Sequence, residues 1–493
     1  MRFYSTRNKD ITISAGQAMI RGLAEDGGLF VPDNLDVHIP APDYRHISYQ
    51  DLAFAVMRPF LDDFTDEELR ACIRLAYDDK YDTADITPVR RLSDSWLLEL
   101  WHGPTAAFKD LALTIMPHML TAAYAKEGRD DTVAILTATS GDTGKAALAG
   151  FADVPNTAIT VFFPEDGVSP VQKRQMQTSR GDNVSVIAVR GNFDDCQRMV
   201  KECTTDPEVR AAGKHVTISS ANSINIGRLL PQMVYYYAAY ADLVRTGVID
   251  AGEEVSFAVP TGNFGDILAG YMAKRSGLPV RHLLCASNEN NVLTDFLHTG
   301  TYDARRPFHM TMSPSMDILV SSNLERLLFF ASGGDDAMVR SCMKSLRDTG
   351  AYTIPAELLA ALQETFLGYY APEEACRREI AGLYRQEQVL IDPHTAVAMH
   401  AMHEYRKLHS DVPCVVLSTA SPFKFSRSVL SCLDQPLPED EFEAMRNLAA
   451  LSGLTIPPGL AELETLPIRF REVIDRAEGK AIIMKRMEEL SHD

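Results

Sequence analysis

From Thr132 onward, short continuous apolar runs alternate with longer helical patterns, and this alternation limits what the chain can fold into. The runs are rich in β-branched residues and span 132–137, 158–163, 184–189, 255–259, 280–284 and 412–417. Continuous apolar strands separated by amphipathic helices indicate parallel sheets that are covered by helices on both faces. The sequence therefore predicts an α/β fold whose ligands bind at the carboxyl ends of the strands.

The length of the chain predicts more than one lobe. It has 493 residues, 46% of them hydrophobic, which is more than one ordinary core contains. We assign residues 1–95 to a mostly helical N-terminal domain and residues 96–430 to the α/β region. That region divides into two lobes, at roughly 110–220 and 221–430. Residues 431–493 are predicted to form a helical C-terminal extension.

Three patterns define the predicted N-terminal domain. Residues 24–32 read as a glycine turn followed by a short strand, and a proline-rich crossing covers 31–43. Ser48 precedes one apolar helical pattern, and the capping box at 65–68 precedes a second. We therefore expect helices to begin at these two positions.

The overall charge and the cysteine pattern exclude several classes of function. The formal net charge of −19 disfavours nucleic acid and anionic membrane as partners, because both require a basic surface. The eight cysteines are scattered without a C-x-x-C pair, so no metal site and no disulfide scaffold are predicted. The first ten residues lack an apolar signal segment, and no run of about 18 apolar residues occurs. We therefore expect a cytoplasmic protein with reduced thiols.

One lysine, Lys109, follows a predicted strand at a position suited to chemistry. The run 96–101 is apolar and stops at Gly103-Pro104, and a helical pattern begins near Asp110. A helix N-terminus and partial burial both disfavour the charged form of a lysine, and an amine of lowered pKa can form a Schiff base. Its position alone does not distinguish a reactive lysine from a solvated surface lysine, and most lysines are of the second kind.

The residues around this lysine resemble a known family. Residues 102–110 read H-G-P-T-A-A-F-K-D, which resembles the active-site signature of the threonine synthase family, with Trp101 and Ala106 as departures. The resemblance implies a fold-type II enzyme in which Lys109 is the catalytic residue and carries pyridoxal 5′-phosphate (PLP). Three other segments also resemble this family: 24–32, 313–328 and 391–397.

Residues 138–147, A-T-S-G-D-T-G-K-A-A, follow the strand predicted at 132–137. The segment lacks the first glycine of a G-x-x-x-x-G-K-[ST] phosphate loop and has alanine after its lysine, which disfavours a nucleotide-binding loop. Small residues before a helix expose N–H groups to an anion, although a plain strand-to-helix turn explains the same pattern. Lys145 stands where the family often has serine, and its role stays open. The resemblance implies substrate-carboxylate binding by Ser140, Gly141, Asp142 and Thr143.

Residues 260–268, P-T-G-N-F-G-D-I-L, follow another predicted strand. Their glycines allow the backbone to close around an anion at a helix N-terminus, and the G-x-G-x-x-G fingerprint of a dinucleotide fold is missing. The resemblance implies that Thr419, after the last strand, faces the pyridine nitrogen of PLP, whereas Ser421 replaces a family histidine of open role. It also implies that the PLP phosphate is bound by Gly262, Asn263, Phe264, Gly265 and Asp266.

Further polar residues are candidates for binding a substrate phosphate. Lys173 lies on a predicted helix, and its alternative is a solvated helix face. Arg228 suits a phosphate because its guanidinium bonds two oxygens at once, and its alternative is a surface ion pair. Asn222 and Ser223 match the family phrase that precedes this arginine. His394 is a candidate catalytic residue, and the more frequent alternative for a lone histidine is a structural hydrogen bond.

Taken together, these resemblances imply conversion of O-phospho-L-homoserine and water into L-threonine and phosphate by a monomer or homodimer. One alternative is a related PLP lyase that releases 2-oxobutyrate and ammonia from the same substrate. Another is a PLP-binding protein without turnover, which intact Lys109 and both anion loops disfavour. A nicotinamide-dependent Rossmann enzyme is a weaker alternative, because its glycine fingerprint is missing.

Overall fold

The computed structural model describes residues 1–39, 43–129, 131–139, 141–166 and 168–491. Its strands are β1 (Phe3–Ser5), β2 (Asn8–Ile13), β3 (Phe30–Pro32), β4 (Val89–Arg91), β5 (Trp96–Glu99), β6 (Thr132–Ala138), β7 (Thr157–Pro164), β8 (Val184–Arg190), β9 (Val216–Ser219), β10 (Val255–Pro260), β11 (Val280–Ser287), β12 (Thr301–Asp303), β13 (Ala351–Thr353), β14 (Phe366–Tyr370), β15 (Cys414–Ser418) and β16 (Val473–Asp475).

The helices are α1 (Ala15–Arg21), α2 (Tyr49–Met57), α3 (Asp66–Ala76), α4 (Asp110–Leu113), α5 (Met116–Lys126), α6 (Asp142–Phe151), α7 (Pro170–Gln177), α8 (Phe193–Thr205), α9 (Pro207–Ala212), α10 (Ile226–Arg245), α11 (Gly265–Arg275), α12 (Val292–Thr299), α13 (Leu324–Ala331), α14 (Asp336–Thr349), α15 (Ala356–Gln363), α16 (Glu373–Glu387), α17 (Pro393–Arg406), α18 (Ser426–Cys432), α19 (Glu441–Ser452), α20 (Pro458–Ala461) and α21 (Gly479–Leu490). Short 3-10 helices occur at Arg58–Phe60, Pro314–Met316, Pro422–Phe425, Glu462–Glu464 and Arg476–Glu478.

Two sheets form the body of the molecule. The larger has the strand order β14-β11-β10-β15-β5-β4, and its neighbouring strands are parallel except β4 and β5. The smaller has the order β16-β8-β7-β6-β9 and is parallel throughout. The predicted α/β fold with two parallel-sheet lobes is confirmed. Each apolar run that predicted a strand overlaps one of β5, β6, β7, β8, β10, β11 or β15.

The N-terminal region contains the predicted helices and also a small sheet. Ser48 caps α2, and Thr65 caps α3 through a reciprocal capping box, as the sequence predicts. The antiparallel sheet β2-β1-β3 was not predicted as a unit; only β3 corresponds to the strand expected at 24–32. Within the proline-rich crossing, residues 40–42 lie outside the described residues.

The C-terminal extension is helical, as predicted, and it also contributes a strand. β16 pairs with β8 at the edge of the smaller sheet. Ile474, Ile483 and Met487 are buried in one apolar cluster with residues of β6, β7 and β8. The extension therefore completes the smaller lobe. Among the described residues, no helix is long and apolar enough to cross a membrane.

Candidate active site

Three loops meet at the carboxyl ends of the neighbouring parallel strands β5, β15 and β10. Lys109 follows β5, Thr419 follows β15 directly, and the loop 262–266 follows β10. Phe108 N donates a hydrogen bond to Thr419 O (2.8 Å), and Ala107 pairs with Ala420 in an isolated bridge. The sheet thus brings together segments that are far apart in the sequence.

A buried carboxylate shapes the turn that carries Lys109. Asp110 accepts hydrogen bonds from Thr105 N (2.8 Å) and Thr105 Oγ1 (2.6 Å). Burial raises the pKa of Asp110 to about 6, although the bonds from Thr105 oppose this. A Cβ at Gly103 would lie 2.6 Å from the Asp110 side chain, so only glycine leaves room for the turn. The turn therefore holds Lys109 at the start of α4.

The amine of Lys109 is largely withdrawn from water. Its side chain is 13% exposed, and its Nζ lies 3.8 Å from Asp142 Oδ2. Burial lowers the pKa of Lys109 to about 8, and the charges of Lys424 and Arg228 lower it as well, while Asp142 opposes the shift. A far larger fraction of this amine than of an ordinary lysine is therefore neutral near physiological pH, and the neutral form is the one that nucleophilic attack requires.

Asp142 connects two lysines across the two lobes. Its Oδ1 accepts from Lys424 Nζ (2.6 Å) and from Gln172 Nε2 (2.9 Å). Burial by itself would raise the pKa of Asp142, but the ammonium groups of Lys424 and Lys109 hold it well below its usual value. Ser315 Oγ donates to Asp142 Oδ2 (3.4 Å) from the other side. An ionised Asp142 thus links α6 of the smaller lobe to the segment after β15.

The loop 262–266 presents backbone N–H groups without acceptors. Gly262 O accepts from Ser321 Oγ (2.8 Å), and Asn263 O accepts from Asn323 N and Nδ2 (both 3.1 Å). The five backbone N–H groups of 262–266 have no hydrogen-bond acceptor among the described residues. Phe264 adopts a left-handed conformation (φ 62°) just before α11, so the chain turns sharply as it enters the helix. Such an array at a helix N-terminus is suited to an anion.

The helix behind this loop is fixed by two tyrosines. Tyr235 and Tyr236 both donate to Asp266 Oδ1, at 2.6 and 2.8 Å. Burial raises the pKa of Asp266 to about 6, while these two hydrogen bonds oppose the shift. The Asp266 side chain therefore faces α10 and supports the loop from behind.

Comparison with known proteins identifies the family. Residues 2–77 match the family model "Threonine synthase N terminus", residues 84–419 match "Pyridoxal-phosphate dependent enzyme", and residues 395–483 match "Threonine synthase, C-terminal". The threonine synthase of Pseudomonas aeruginosa is 40% identical over 433 residues, covering 87% of this chain and 90% of the relative. The chain belongs to the threonine synthase family.

Solved structures of this threonine synthase family share the whole fold. PLP-bound threonine synthase from Brucella melitensis superimposes with a TM-score of 0.88 at 35% identity, covering 100% of both chains. The yeast threonine synthase gives a TM-score of 0.88 at 33% identity, covering 99% of this chain and 98% of the other. The predicted fold-type II PLP enzyme of the threonine synthase family is thereby confirmed, and its cofactor is PLP.

The described residues of this threonine synthase family member fit PLP. The unpaired N–H groups of 262–266 match a phosphate, and the Lys109 amine has the lowered pKa that covalent attachment requires. Thr419 is 6% exposed, and its hydroxyl has no hydrogen-bond partner among the described residues. Each of the three loops thus offers one group suited to a different part of the cofactor.

Arg228 is brought to the Lys109 site with its charge uncompensated. The side chain is 3% exposed, and Nη1 donates to Ala221 O (2.7 Å). Nε has no hydrogen-bond partner, and within the described ranges no carboxylate pairs with the guanidinium. Burial lowers the pKa of Arg228 to about 10. The surface ion pair that was the alternative for Arg228 is therefore absent among the described residues. A buried cation that no carboxylate pairs with suits an anionic ligand.

The remaining predicted substrate residues differ in their surroundings. Ser223 O accepts from Asn323 Nδ2 (3.2 Å), and Asn222 N donates to Ser220 Oγ (3.2 Å). Lys173 Nζ donates to Glu165 O (3.1 Å), whereas its neighbour Gln172 donates to Asp142. Among the described residues, no hydrogen bond or ion pair joins Lys173 to Lys109 or Arg228.

The loop at the start of α6, which is predicted to bind the substrate carboxylate, already uses two of its backbone N–H groups in internal hydrogen bonds. Gly141 N and Gly144 N both donate to Thr139 Oγ1, at 3.0 and 2.9 Å. Gly141 has φ 147°, and a Cβ there would lie 2.5 Å from the Gln172 side chain. The half-buried Thr143 lies in the first turn of α6, and Ser140 lies outside the described residues.

Two residues of the site, Lys424 and Ser315, were not predicted from the sequence. Lys424 is fully buried and lies in the same segment as Thr419, in the 3-10 helix Pro422–Phe425, so a charged residue soon after an apolar strand was its only signal. Ser315 and His394 are joined, because His394 Nε2 accepts from Ser315 N (3.1 Å) while Nδ1 lies 2.7 Å from Asp392 Oδ1. His394 therefore makes structural hydrogen bonds. Ser421 also makes a structural contact, because its backbone N donates to Ala106 O (3.1 Å) in the turn before Lys109.

Proposed function

We propose that this enzyme converts O-phospho-L-homoserine and water into L-threonine and phosphate. The observation that carries the proposal is the Lys109 amine, with a pKa lowered to about 8, within electrostatic reach of Arg228. The substrate needs both groups, because its amino group must reach the cofactor while its phosphate needs a cation. A buried amine and a buried guanidinium that no carboxylate pairs with among the described residues supply them.

Three groups are proposed to hold the cofactor. Lys109 binds PLP covalently, the N–H groups of 262–266 bind its phosphate, and the Thr419 hydroxyl faces its pyridine nitrogen. When bound, PLP supplies an electron sink that stabilises negative charge on the substrate carbon next to the amino group. A neutral hydroxyl at the ring nitrogen, in place of a carboxylate, leaves that nitrogen less strongly protonated.

Lys109 is proposed to act also as the proton carrier. The net reaction breaks the bond from Cγ to the phosphate oxygen and places a hydroxyl from water at Cβ. Protons must therefore leave Cα and Cβ, and protons must be added at Cα and at Cγ, which becomes the methyl group. An amine whose pKa lies near physiological pH is suited to both removing and returning a proton. Asp142 favours the protonated state of the amine and so limits how far its pKa falls.

Arg228 is proposed to bind the substrate phosphate, with Asn222 and Ser223 nearby and Lys173 as a second cation. The support is its burial without a carboxylate partner among the described residues. The substrate carboxylate is assigned to the start of α6, at Ser140, Gly141, Asp142 and Thr143. The Asp142 carboxylate is itself paired with Lys424, so its contribution there is through the backbone.

A product assay tests the proposed function. Purified holoenzyme is incubated with O-phospho-L-homoserine, and L-threonine, phosphate and 2-oxobutyrate are measured. We expect one L-threonine for each phosphate, and no phosphate release by the Lys109→Ala variant. Equal amounts of 2-oxobutyrate and phosphate would assign the related lyase reaction instead, and absence of phosphate release from the wild type would reject both reactions.

We also propose a cytoplasmic location and a monomeric or homodimeric state. All eight cysteines are buried and free, which suits a reducing compartment. Light scattering of the purified protein measures the mass in solution, and fractionation of the source cells tests the location. A mass above that of a dimer would contradict the proposed state.

A further inference from the structure

A cavity lies behind the turn that carries Lys109. It has a volume of about 200 Å³ and is lined by α6, by residues 178–180 after α7, and by residues 459–466 of the C-terminal extension. Pro104 of the Lys109 turn closes one side. None of the groups assigned above to PLP or substrate lines this cavity, so the cavity is distinct from the proposed catalytic site.

Lys145, whose role the sequence left open, faces this cavity. Its Nζ donates to Ser179 Oγ (3.3 Å), and within the described ranges no carboxylate pairs with it. Burial lowers the pKa of Lys145 to about 8, while the more distant charges of Asp110 and Glu462 oppose the shift. A largely buried ammonium with one weak hydrogen bond favours an anionic partner.

The rest of the cavity wall limits the kind of anion. Leu148, Ala149, Leu463 and Leu466 supply an apolar surface. At the exposed side, Arg180 Nη2 pairs with Glu462 Oε2 at 2.8 Å, so these two charges compensate each other. One uncompensated positive charge remains beside an apolar wall. A dianionic phosphate would carry a second negative charge that no further unpaired cation of the cavity wall compensates, whereas a monocarboxylate matches the single charge.

We propose that this cavity binds a small aliphatic carboxylate. The carboxylate group lies against Lys145 Nζ, and the hydrocarbon chain packs against Leu148, Leu463 and Leu466. A cavity of about 200 Å³ equals the liquid volume of about six or seven water molecules, which accommodates a ligand of about four carbons. The ligand is either a simple carboxylic acid or an α-amino acid whose ammonium group faces Glu462, and both share the anchoring contact with Lys145.

The position of the cavity connects its ligand to the active site. Gly459 packs so closely on the Lys109 turn that a Cβ there would lie 2.3 Å from Pro104 O. The next residue, Thr105, bonds Asp110 beside Lys109. A ligand between 459–466 and Pro104 therefore bears directly on the turn that positions the amine. The site is proposed as an effector site, and its occupancy does not depend on which reaction the enzyme performs.

Direct binding measurements test the proposal without using turnover. Holoenzyme is titrated calorimetrically with sodium butyrate, with L-2-aminobutyrate, and with n-butanol as an uncharged ligand of similar size. We expect butyrate or L-2-aminobutyrate to bind the wild type, and Lys145→Met to weaken that binding at least about tenfold. The Lys344→Met variant, which removes an exposed lysine on α14, serves as the matched control and should bind like the wild type. The tighter of the two acids identifies the ligand class.

A second variant keeps the test decisive if Lys145→Met fails to fold. Ala149→Leu leaves the lysine in place and fills the apolar part of the cavity, so it should also weaken binding. Equal affinity in the wild type and in either cavity variant would overturn the proposal. A wild-type Kd above about 10 mM for both acids would overturn it as well.

Discussion

At the scale of single residues, the pKa of Lys109 leads to a prediction about how the cofactor is loaded. The amine attacks the PLP aldehyde only in its neutral form, and burial lowers its pKa from the ordinary 10.5 to about 8. At pH 8 half of the amine is neutral; the neutral fraction falls about tenfold with each unit of pH well below this value and is nearly complete one to two units above it. The rate of PLP attachment to apoenzyme should therefore rise with pH, reach half of its maximum near pH 8, and level off above that.

Absorbance after rapid mixing of apoenzyme with PLP measures this rate. Borohydride reduction and peptide mapping then identify Lys109 as the modified residue. Nα-acetyl-lysine is the control amine, and its rate should continue to rise toward a pKa of about 10.4. An enzyme profile that follows the control would show that the amine is not in the environment described.

The buried pair of Asp142 and Lys424 gives a second prediction at this scale. Asp142→Asn leaves the Lys424 ammonium buried without a counter-charge, which typically costs about 3 to 5 kcal/mol. We expect urea unfolding to show a loss of stability in that range. Asp348→Asn removes an exposed partner of Lys344 (2.7 Å) and should cost less than about 1 kcal/mol. Similar losses in the two variants would contradict a structural role for the buried pair.

Local patterns revealed part of the site, and long-range contacts supplied the rest. Lys109, the loop 262–266 and Thr419 each follow a strand, so the rule that ligands bind at strand carboxyl ends placed them on one edge of a sheet. Lys424 became recognisable only when its contact with Asp142 was seen. No local pattern encodes that partner, because the pairing depends on how two lobes pack.

At the scale of elements, the start of α13 holds two loops of the site together. Asn323 Nδ2 donates to both Ser223 O and Asn263 O, and Arg326 of the same helix donates to Ile224 O (2.6 Å). Asn323→Ala removes the side-chain donor to Ser223 O and one of the two donors to Asn263 O, which still accepts from Asn323 N. A buried group left unpaired costs about 1 to 3 kcal/mol. We therefore expect lower stability and weaker retention of PLP.

The neighbouring residue provides the control for this prediction. Ser322 donates to Asn263 Oδ1 (3.1 Å) and is more exposed, so Ser322→Ala should change both properties little. Equilibrium dialysis of PLP and thermal unfolding of both variants make the comparison. Unchanged PLP retention in Asn323→Ala would show that the loop 262–266 keeps its shape without α13.

The elements that the sequence predicted differ in burial from those that it did not. β6, β7, β8, β10, β11 and β15 are buried almost throughout, so their apolar runs were visible. β14 alternates between buried and partly exposed residues at the edge of the larger sheet, and β16 has three residues. Short edge strands carry little periodicity, and β16 finds β8 across nearly three hundred intervening residues.

At the scale of the whole molecule, the two lobes and the extension are joined through the site. Asp142 and Lys424 connect the lobes, and Arg174 of α7 donates to Leu463 O (2.9 Å) and Leu466 O (3.1 Å) of the extension. Arg469 of the extension donates in turn to Ser179 O (2.8 Å). These contacts require desolvated partners on both sides, so one part cannot unfold without exposing unpaired groups in another.

This coupling predicts that a destabilising substitution in the extension also lowers the stability of the larger lobe. Ile483 is 1% exposed in the apolar cluster that α21 shares with β6, β7 and β8, and Ile483→Ala should cost about 2 to 5 kcal/mol. Both tryptophans, Trp96 and Trp101, lie in or beside β5 of the larger sheet, so their fluorescence reports that lobe alone. Far-UV circular dichroism reports all helices. Because the lobes are coupled, both signals should shift to lower urea concentration by the same amount.

Ile482→Ala, at the partly exposed neighbouring position, should shift both much less. If the fluorescence transition stays in place while the circular dichroism transition moves, the smaller lobe unfolds alone. The contacts through Asp142 and Arg174 would then not join the lobes into one cooperative unit.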